Sequence, residues 1–237
     1  MKTITDMWVE FNGHKNTEYG VELVSMPTRP HPARLGTAKN VPGRNGKVFL
    51  DQEAYDQILI TIRMQTTKDN SEAVNGWLTG SGKLRFGDDP NHVYSARITK
   101  EYSVTNKSNR LIGREFTVSF DCYPLRYVYP SPEAVTITAT GSTIENPCAV
   151  FSQPEIKVNC TGTFSLIVNG YQIDSETLTD GVILDCELQE CFSLDKTESR
   201  NSYIAMDEYP RLDPGVNIIT WTGAISSLEI SPRWRDI

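Results

Sequence analysis

The stretch at residues 112–130, IGREFTVSFDCYPLRYVYP, decides how this chain is divided. In its first part apolar and polar residues alternate from Phe116 to Phe120, which places the apolar side chains on one face of an extended strand. The prolines of its second part end the strand, because proline has no backbone N–H to donate and keeps the preceding residue extended. We therefore predict a first domain at residues 1–130 and a second domain at residues 131–237.

The net charge of −7 is divided unevenly between these two parts. Residues 1–130 hold 17 Lys and Arg against 14 Asp and Glu, whereas residues 131–237 hold 6 against 16. A mildly basic part followed by a strongly acidic part supports two units with different neighbours. The acidic unit is poorly suited to holding nucleic acid through its phosphates.

The sequence contains neither a membrane-spanning nor a secretory pattern. No run approaches the roughly 20 apolar residues that cross a bilayer, and the N-terminal MKTITDMWVEFNG lacks the apolar core of a signal peptide. We predict no membrane insertion and synthesis in a cytoplasm, where the five cysteines stay reduced.

The first part combines strand patterns with one helix pattern. Alternating isoleucines predict a half-buried strand at residues 55–64. Helical spacing of apolar residues predicts a short helix at residues 73–78, for which Asp69, Asn70 and Ser71 are candidate N-caps. The second part shows short strand patterns at residues 135–139, 155–158, 164–169, 181–188, 218–222 and 227–230, separated by turn residues and without a helical period, which is typical of an antiparallel β-sandwich. The polar segment at residues 195–207 is predicted to be a loop. The chain as a whole is therefore predicted to be mainly β with one short helix.

Residues 26–46, MPTRPHPARLGTAKNVPGRNG, form a long segment without apolar periodicity. It contains Arg29, Arg34 and Arg44 among its prolines and glycines. A segment of this length inside a compact domain is usually functional or disordered. We interpret it either as a mobile surface loop or as an arm that orders against a partner.

No constellation of residues with catalytic chemistry is recognisable. The sequence GSGK at residues 80–83 lacks the spacing and the following hydroxyl residue of a phosphate-binding loop, and we interpret it as a helix C-cap. The acidic residues at positions 185, 187 and 190 alternate with apolar ones, which predicts a solvent-facing strand surface. We predict no catalytic residues, no cofactor and no metal site, and therefore no enzyme.

Two groups of aromatic and basic residues have more than one interpretation. Arg233, Trp234 and Arg235 lie near the C-terminus, and Arg and Trp are enriched at interface hot spots, so they are candidate interface residues or a final strand with solvated arginines. Trp221 is interpreted as a core residue, with contact to a saccharide as the alternative.

The order of short motifs along essentially the whole chain resembles that of the distal tail proteins of siphophages, the baseplate hub subunits of phages and prophages of Gram-positive bacteria. The motifs in the first part are FNG at 11–13, YGV at 19–21, VPGRNG at 41–46, the helix at 73–78 with KLRF at 83–86, and REFTVSFDCYP at 114–124. Those in the second part are NP at 146–147, SQPEI at 152–156, YPRLDPGVN at 209–217, WTG at 221–223 and PRWR at 232–235.

The resemblance implies an N-terminal α+β domain that closes a homo-hexameric ring, followed by a C-terminal galectin-like antiparallel β-sandwich. DNA would pass through the central channel without sequence-specific binding. The ring would join the major tail tube protein to a tail-associated lysin or fibre protein, with receptor-binding proteins at the periphery in some phages. The implied location is the virion tail tip, assembled in the host cytoplasm, and Arg29, Arg34, Arg44 and residues 233–235 would be interface candidates.

Two other function classes are alternatives to the structural hub. A carbohydrate-binding module would use the C-terminal sandwich, with Trp221 as the contact to a host cell-wall saccharide. A cell-wall hydrolase has no support in the sequence.

Overall fold

A computed structural model describes residues 7–66, 71–102, 105–106 and 114–237 of the protein. The chain separates into two compact units, Met1–Arg126 with Ile237 and Tyr127–Asp236. The division falls between residues 126 and 127, whereas the sequence prediction placed it between residues 130 and 131. The described residues lie mostly in antiparallel strands with one α-helix, so the predicted mainly-β class is confirmed.

In the part of the first unit that the structure describes there are one α-helix, a short 3-10 helix at Asn16–Tyr19 and ten strands. In chain order these are β1 Val9–Phe11, β2 His14–Lys15, β3 Val21–Leu23, β4 Arg34–Asn40, β5 Lys47–Tyr55, β6 Ile58–Thr66, α1 Ser71–Trp77, β7 Ser81–Phe86, β8 Asp89–Ile98, β9 Thr105–Asn106 and β10 Arg114–Cys122. The main sheet has the strand order β2-β1-β7-β8-β10-β6-β3, β9 pairs with β10, and β4 and β5 form a separate two-stranded sheet.

The core of the first unit lies on one face of the main sheet. Antiparallel pairing sets Ile60 opposite Phe120 and Ile62 opposite Val118, and all four side chains are buried. Burial of each such side chain contributes about 1.5–3 kcal/mol. The alternation predicted for these two strands is therefore confirmed, because the period-two pattern of each strand meets that of its neighbour in register.

Helix α1 covers this core with Trp77. The indole stacks on Tyr19 at 4.9 Å between ring centroids, and its Nε1 donates to the carbonyl oxygen of Phe11 at 3.1 Å. Of the candidate N-caps, Asp69 and Asn70 lie outside the described residues, as does the side chain of Ser71.

The interpretation of the whole GSGK sequence as a helix C-cap is wrong. Gly80 has a positive φ of 74°, as a residue after a helix often has, but Gly82 and Lys83 belong to β7. A Cβ added at Gly82 would lie 1.5 Å from Oδ1 of Asn12, so the glycine leaves space for that side chain. This contact joins distant parts of the chain, and the local motif gives no sign of it.

The second unit, together with the strand at its start, is built mainly of β-strands, with a short 3-10 helix at Asn201–Tyr203. The strands are β11 Arg126–Val128, β12 Val135–Ile137, β13 Ser142–Asn146, β14 Glu155–Val168, β15 Tyr171–Ser175, β16 Val182–Asp185, β17 Glu190–Phe192, β18 Ile204–Met206, β19 Gly215–Ser231 and β20 Arg235–Asp236. The strand order is β12-β19-β14-β15-β18, with β13 on β19, β16 on β14 and β17 on β16.

Two long strands, β14 and β19, pair along most of their length and carry the core of the second unit. Each merges two strands that the sequence predicted separately, because irregularities at Asn159, Cys160 and Phe164 interrupt the apolar alternation without ending the pairing. The polar segment at residues 195–207 was predicted to be a loop. That prediction is wrong for its end, where β18 pairs with β15.

Buried asparagines fix the loop that precedes β19. The Nδ2 of Asn217 donates to the carbonyl oxygens of Ile144, Asp213 and Gly215 at 2.9–3.2 Å. Asn146 Nδ2 likewise donates to a backbone carbonyl oxygen of this loop at 3.0 Å. Buried polar groups require such partners, so these contacts hold an irregular segment in one conformation.

Candidate assembly surfaces

The ribbon, defined as residues 34–55 with strands β4 and β5, forms a sheet separate from the main sheet of the first unit. Its register pairs Thr37 with Leu50 and Asn40 with Lys47. Phe49 and Leu50 are 53% and 47% exposed. A two-stranded hairpin is marginally stable alone, and neighbouring exposed apolar side chains are typical of interaction surfaces. The ribbon is therefore a candidate assembly surface.

The segment predicted as an irregular arm, residues 26–46, includes the first strand of this ribbon. The expectation of a segment without regular structure is therefore wrong for Arg34–Asn40. Most positions of this strand are exposed, so it has no buried face and its residues show no alternation of apolar and polar character. A ribbon of this kind leaves no periodic signal in a sequence.

Two of the predicted interface arginines, Arg34 and Arg44, lie on the ribbon. The guanidinium of Arg34 donates from Nε and Nη2 to Asp51 Oδ2 at 3.0 and 2.7 Å, and these hydrogen bonds raise the pKa of Arg34. It also lies 5.0 Å from the ring centroid of Tyr55. Arg44 lies in the turn, where its side chain is exposed.

The end of the ribbon is basic as well as apolar. Residues 37–50 contain Lys39, Arg44 and Lys47 and no acidic residue. The ring of Phe49 lies over Gly36, where an added Cβ would be 2.4 Å from the ring. The ribbon end thus presents positive charge beside exposed apolar surface, a combination that fits an acidic protein surface.

The third predicted interface residue of the segment, Arg29, is bound within the first unit. Its Nη1 and Nη2 donate to Oδ1 and Oδ2 of Asp88 at 2.8 and 2.5 Å. The guanidinium also lies 5.1 Å from the ring centroid of Phe86. Arg29 therefore holds its own segment against the turn between β7 and β8.

Trp234 belongs to the core of the second unit. Its side chain is 7% exposed and packs in the buried cluster with Leu184 and Ile230. The backbone beside it is paired, because the N–H of Val128 donates to the carbonyl oxygen of Trp234 at 2.9 Å. The interpretation of this tryptophan as an exposed interface anchor at a loose chain end does not fit its burial.

Arg233 binds a cluster of carboxylates within the second unit. It contacts both carboxylate oxygens of Asp185 at 2.7 and 2.8 Å, Glu155 at 2.9 Å and Glu187 at 3.5 Å. Tyr127 donates to the same Glu187. The prediction of a solvent-facing strand surface is therefore wrong for Asp185, which is 5% exposed and is bound by a cation of the same unit.

The electrostatics of this cluster follow from its partners. Burial raises the pKa of Asp185, but the hydrogen bonds from Arg233 and from the backbone N–H groups of Leu188 and Glu187 outweigh burial, so the pKa lies below its usual value. The same carboxylates raise the pKa of Arg233. Arg233 is therefore a structural ion-pair residue.

Arg235, the last predicted interface arginine, is also buried. Its Nε donates to the carbonyl oxygen of Phe151 at 2.8 Å and its Nη1 to Gln153 at 3.0 Å. The guanidinium lies 4.8 Å from the ring centroid of Phe151. The geometry places all three residues, 233–235, in contacts within the second unit, and of the three Arg233 is the most exposed, at 26% of its side chain.

Trp221, the possible saccharide contact, packs against the core of the second unit. It pairs with Leu166 of β14, which is fully buried, and its own side chain is half-buried in the same cluster. A saccharide-binding tryptophan presents an open ring face, so this position favours the core interpretation of Trp221.

The outer face of the second unit carries an apolar patch that the sequence did not single out. Val216 and Ile218 of β19 are 65% and 55% exposed, and Ile167 of the neighbouring strand is exposed beside them. Acidic Glu145 pairs with Val216 across β13. Alternation along β19 marks these positions as one face, but apolar residues at that spacing predict a buried face.

The described residues show little evidence of a catalytic or metal-binding site. No group of three or more His, Cys, Asp or Glu among them is placed to hold a metal ion. An open depression of about 780 Å³ in the first unit is lined by Arg97, Asp121, Tyr123 and neighbouring residues, without a histidine or cysteine among the described lining. Within the described ranges no helix is long and apolar enough to cross a membrane.

The fold is similar to that of a solved phage protein. The crystal structure of SPP1 Dit, a hub adsorption apparatus protein of Gram-positive-infecting phages, matches with a TM-score of 0.68. The match covers 95% of this chain and 98% of that chain, at 15% sequence identity. No protein-family model matches the sequence, and no curated protein matches it. At this identity the likeness is one of fold, and the resemblance to distal tail proteins is confirmed at that level.

Proposed function

We propose that this chain is a structural hub subunit of a phage tail tip, with an architectural and non-enzymatic role. The observation that carries the proposal is the fold likeness to SPP1 Dit, which extends over nearly the full length of both chains. A partial likeness would be compatible with a shared module, whereas a match of both units in sequence order favours the same type of protein. The motifs of the sequence support the same assignment independently.

The proposed assembly is a homo-hexameric ring with a central channel, through which DNA passes without sequence-specific binding. A closed ring uses heterologous contacts, in which each copy presents two different surfaces. The ribbon supplies one of them, because Phe49 and Leu50 remain exposed on a hairpin that gains stability when its apolar side chains are covered. The receiving surface of the neighbouring copy would carry acidic residues that face Lys39, Arg44 and Lys47.

The proposed partners follow from this position in the virion. The ring would bind the major tail tube protein on one side and a tail-associated lysin or fibre protein on the other. Receptor-binding proteins would attach to its periphery in phages that carry them there. The proposed location is the virion tail, after assembly in the host cytoplasm.

Light scattering coupled to size-exclusion chromatography tests the ring directly. We expect a hexamer, or a monomer that converts to rings as the protein concentration rises, and rings with a central hole in negative-stain images. A protein that stays monomeric at all concentrations, and that binds neither the tube nor the hub partners of its phage, would contradict the proposal.

A matched pair of double variants locates the contact. Val41→Ser with Leu50→Ser removes exposed apolar groups from the ribbon, and we expect rings to form only at higher concentration. Val216→Ser with Ile218→Ser removes comparable exposed groups from the second unit and serves as the control, with ring formation unchanged. Equal effects of the two pairs would show that the ribbon is not the specific contact.

A further inference from the structure

The strap, defined as residues 24–33, connects the edge of the main sheet to the ribbon. Its backbone bonds to its surroundings at its two ends. The N–H of Val24 donates to the carbonyl oxygen of Arg63 at 3.0 Å, and the N–H of Asp56 donates to the carbonyl oxygen of Ala33 at 2.8 Å. The strap contains no described helix or strand. The direction in which the ribbon leaves the unit therefore depends on two connections, the strap and the two residues between β5 and β6, and the strap is the longer of the two.

Arg29 lies in the middle of the strap and joins it to the main sheet. Its two terminal nitrogens bind the two carboxylate oxygens of Asp88, in the turn between β7 and β8, in a fork-to-fork geometry. The Arg29 and Asp88 side chains are 22% and 14% exposed, so solvent screens this pair less than a surface pair. The planar guanidinium also lies over Phe86, whose side chain is buried.

The neighbouring carboxylate has its own hydrogen-bond partners. Asp89 accepts hydrogen bonds from His92 Nδ1 and Arg126 Nη1, each at 2.7 Å. Asp88 in the turn and Asp89 at the start of β8 are thus bound by different basic residues. Arg29 cannot easily exchange its partner, and its pair with Asp88 is a defined polar attachment of the strap beside the packing of Met26 on the core and the burial of Pro32.

We propose that Arg29 is the positioning residue of the ribbon: by its bidentate pair with Asp88 it fixes the strap and so sets the direction in which the ribbon leaves the first unit. The contribution of this role to assembly rests on the proposed function. A ribbon whose direction is already fixed loses less conformational entropy when it binds a neighbouring copy. Lysine at this position keeps the charge but loses the fork, so it only partly replaces arginine.

Distances between two spin labels measure the direction of the ribbon in the monomer. One label is placed in the ribbon turn (Asn45→Cys) and the other on β6 of the main sheet (Thr61→Cys), both at exposed positions. Cys148→Ser removes the half-buried native thiol, and the other four cysteines are buried. The measurement is made at a concentration where light scattering gives the monomer.

We expect a narrow distance distribution in the parent protein and a broad one in Arg29→Gln and in Asp88→Asn. The exchange variant Arg29→Asp with Asp88→Arg should restore a narrow distribution, which a merely destabilising change would not do. Arg63→Gln keeps the backbone carbonyl that binds Val24 and removes only the exposed side-chain pair with Glu115, so it should leave the distribution narrow. If Arg29→Gln does not fold, Arg29→Lys replaces it, with an intermediate width expected.

An unchanged narrow distribution in Arg29→Gln, or a broad one in the parent protein, would overturn the proposal. Ring formation is measured separately by light scattering. Loss of rings in Arg29→Gln, with melting unchanged relative to Arg63→Gln, would link the direction of the ribbon to assembly. If the parent protein never forms rings, the proposed function is wrong. The measured distance distributions still show whether Arg29 fixes the direction of the ribbon.

Discussion

Arg233 is the residue whose role changes most between sequence and structure. Two arginines around a tryptophan near a chain end indicated an interface, but the structure places Arg233 among Asp185, Glu155 and Glu187. Its partners lie 46 to 78 residues away in the chain. No local sequence pattern predicts an ion pair between residues so far apart in the chain, so only the folded structure identifies it.

We expect Arg233→Ala to lower the free energy of unfolding of the second unit by about 2–3 kcal/mol, because it leaves the buried Asp185 carboxylate without its cation. Urea unfolding monitored in the second unit measures the loss. The control is Lys157→Ala, which breaks the more exposed pair with Glu229 and should cost less than about 1 kcal/mol. Equal costs for the two variants would show that the cluster around Arg233 adds no special stability.

The same cluster predicts a dependence of stability on pH. Because the pKa of Asp185 is lowered in the folded state, its contribution is complete above the pKa of the unfolded chain, about 3.9. That contribution is lost as the pH falls through the lower, folded-state pKa. We therefore expect the free energy of unfolding to decrease below about pH 4, and to decrease less in Asp185→Asn. An identical acid profile in the two proteins would contradict this assignment.

The cysteines are expected to differ sharply in reactivity. Burial first, and Asp121 second, raise the pKa of Cys122 to about 12, and burial also raises the pKa of Cys186. Thiolates are the reactive form, so a thiol reagent should modify only the half-buried Cys148 in the native protein and all five cysteines after unfolding. Cys148→Ser should abolish the native reaction. Rapid native modification of more than one thiol would contradict the described packing.

At the scale of single elements, the ribbon depends on a residue without a side chain. A Cβ added at Gly36 would lie 2.4 Å from the ring of Phe49 and 2.5 Å from the carbonyl oxygen of Leu50. We expect Gly36→Ala to displace the partner strand, to speed amide hydrogen exchange in the ribbon and to weaken ring formation.

The control for this change is Gly76→Ala in α1. No atom lies within 4 Å of a Cβ added at Gly76, and alanine favours a helix over glycine by up to about 1 kcal/mol. This variant should leave exchange in the ribbon unchanged and the protein as stable or slightly more stable. Similar ribbon exchange in Gly36→Ala and Gly76→Ala would show that close packing at Gly36 does not hold the ribbon.

Elements with one buried face could be predicted, and elements without one could not. Strands β6 and β10 follow from their sequence because their alternating apolar residues face one core. The ribbon has two exposed faces, so its first strand was interpreted as irregular. Strands β14 and β19 were each divided in two because bulges shift the alternation while the hydrogen bonding continues.

At the scale of the whole molecule, the two units have separate buried clusters. Ile60 is fully buried in the first and Leu166 in the second. We expect Ile60→Ala and Leu166→Ala each to lower the stability of its own unit by about 2–5 kcal/mol. Hydrogen exchange resolved along the chain should show faster opening in the altered unit alone. Equal acceleration in both units by either variant would indicate one cooperative structure.

The candidate site was predictable only in its location. The segment around residues 26–46 was singled out by its prolines and arginines, and the structure gives an exposed ribbon there. The partners of its arginines could not be predicted from the sequence. Arg29 binds Asp88 at a separation of 59 residues, and Arg34 binds Asp51 across the hairpin. The burial of the Trp234 side chain could not be predicted either, because burial near a chain end depends on which residues from the rest of the fold pack against it.

The exposed turn of the ribbon also contains a site at which asparagine is expected to deamidate. Asn45 precedes Gly46 there, and in such a pair the glycine nitrogen readily attacks the asparagine side-chain carbonyl. The attack releases ammonia and forms a succinimide, which water opens to aspartate or isoaspartate. In the other Asn-Gly pairs, Asn12, Asn75 and Asn169 have side chains held by hydrogen bonds. In stored protein, deamidation will therefore add a negative charge between Arg44 and Lys47. Stored and fresh preparations will then differ in how readily the protein associates.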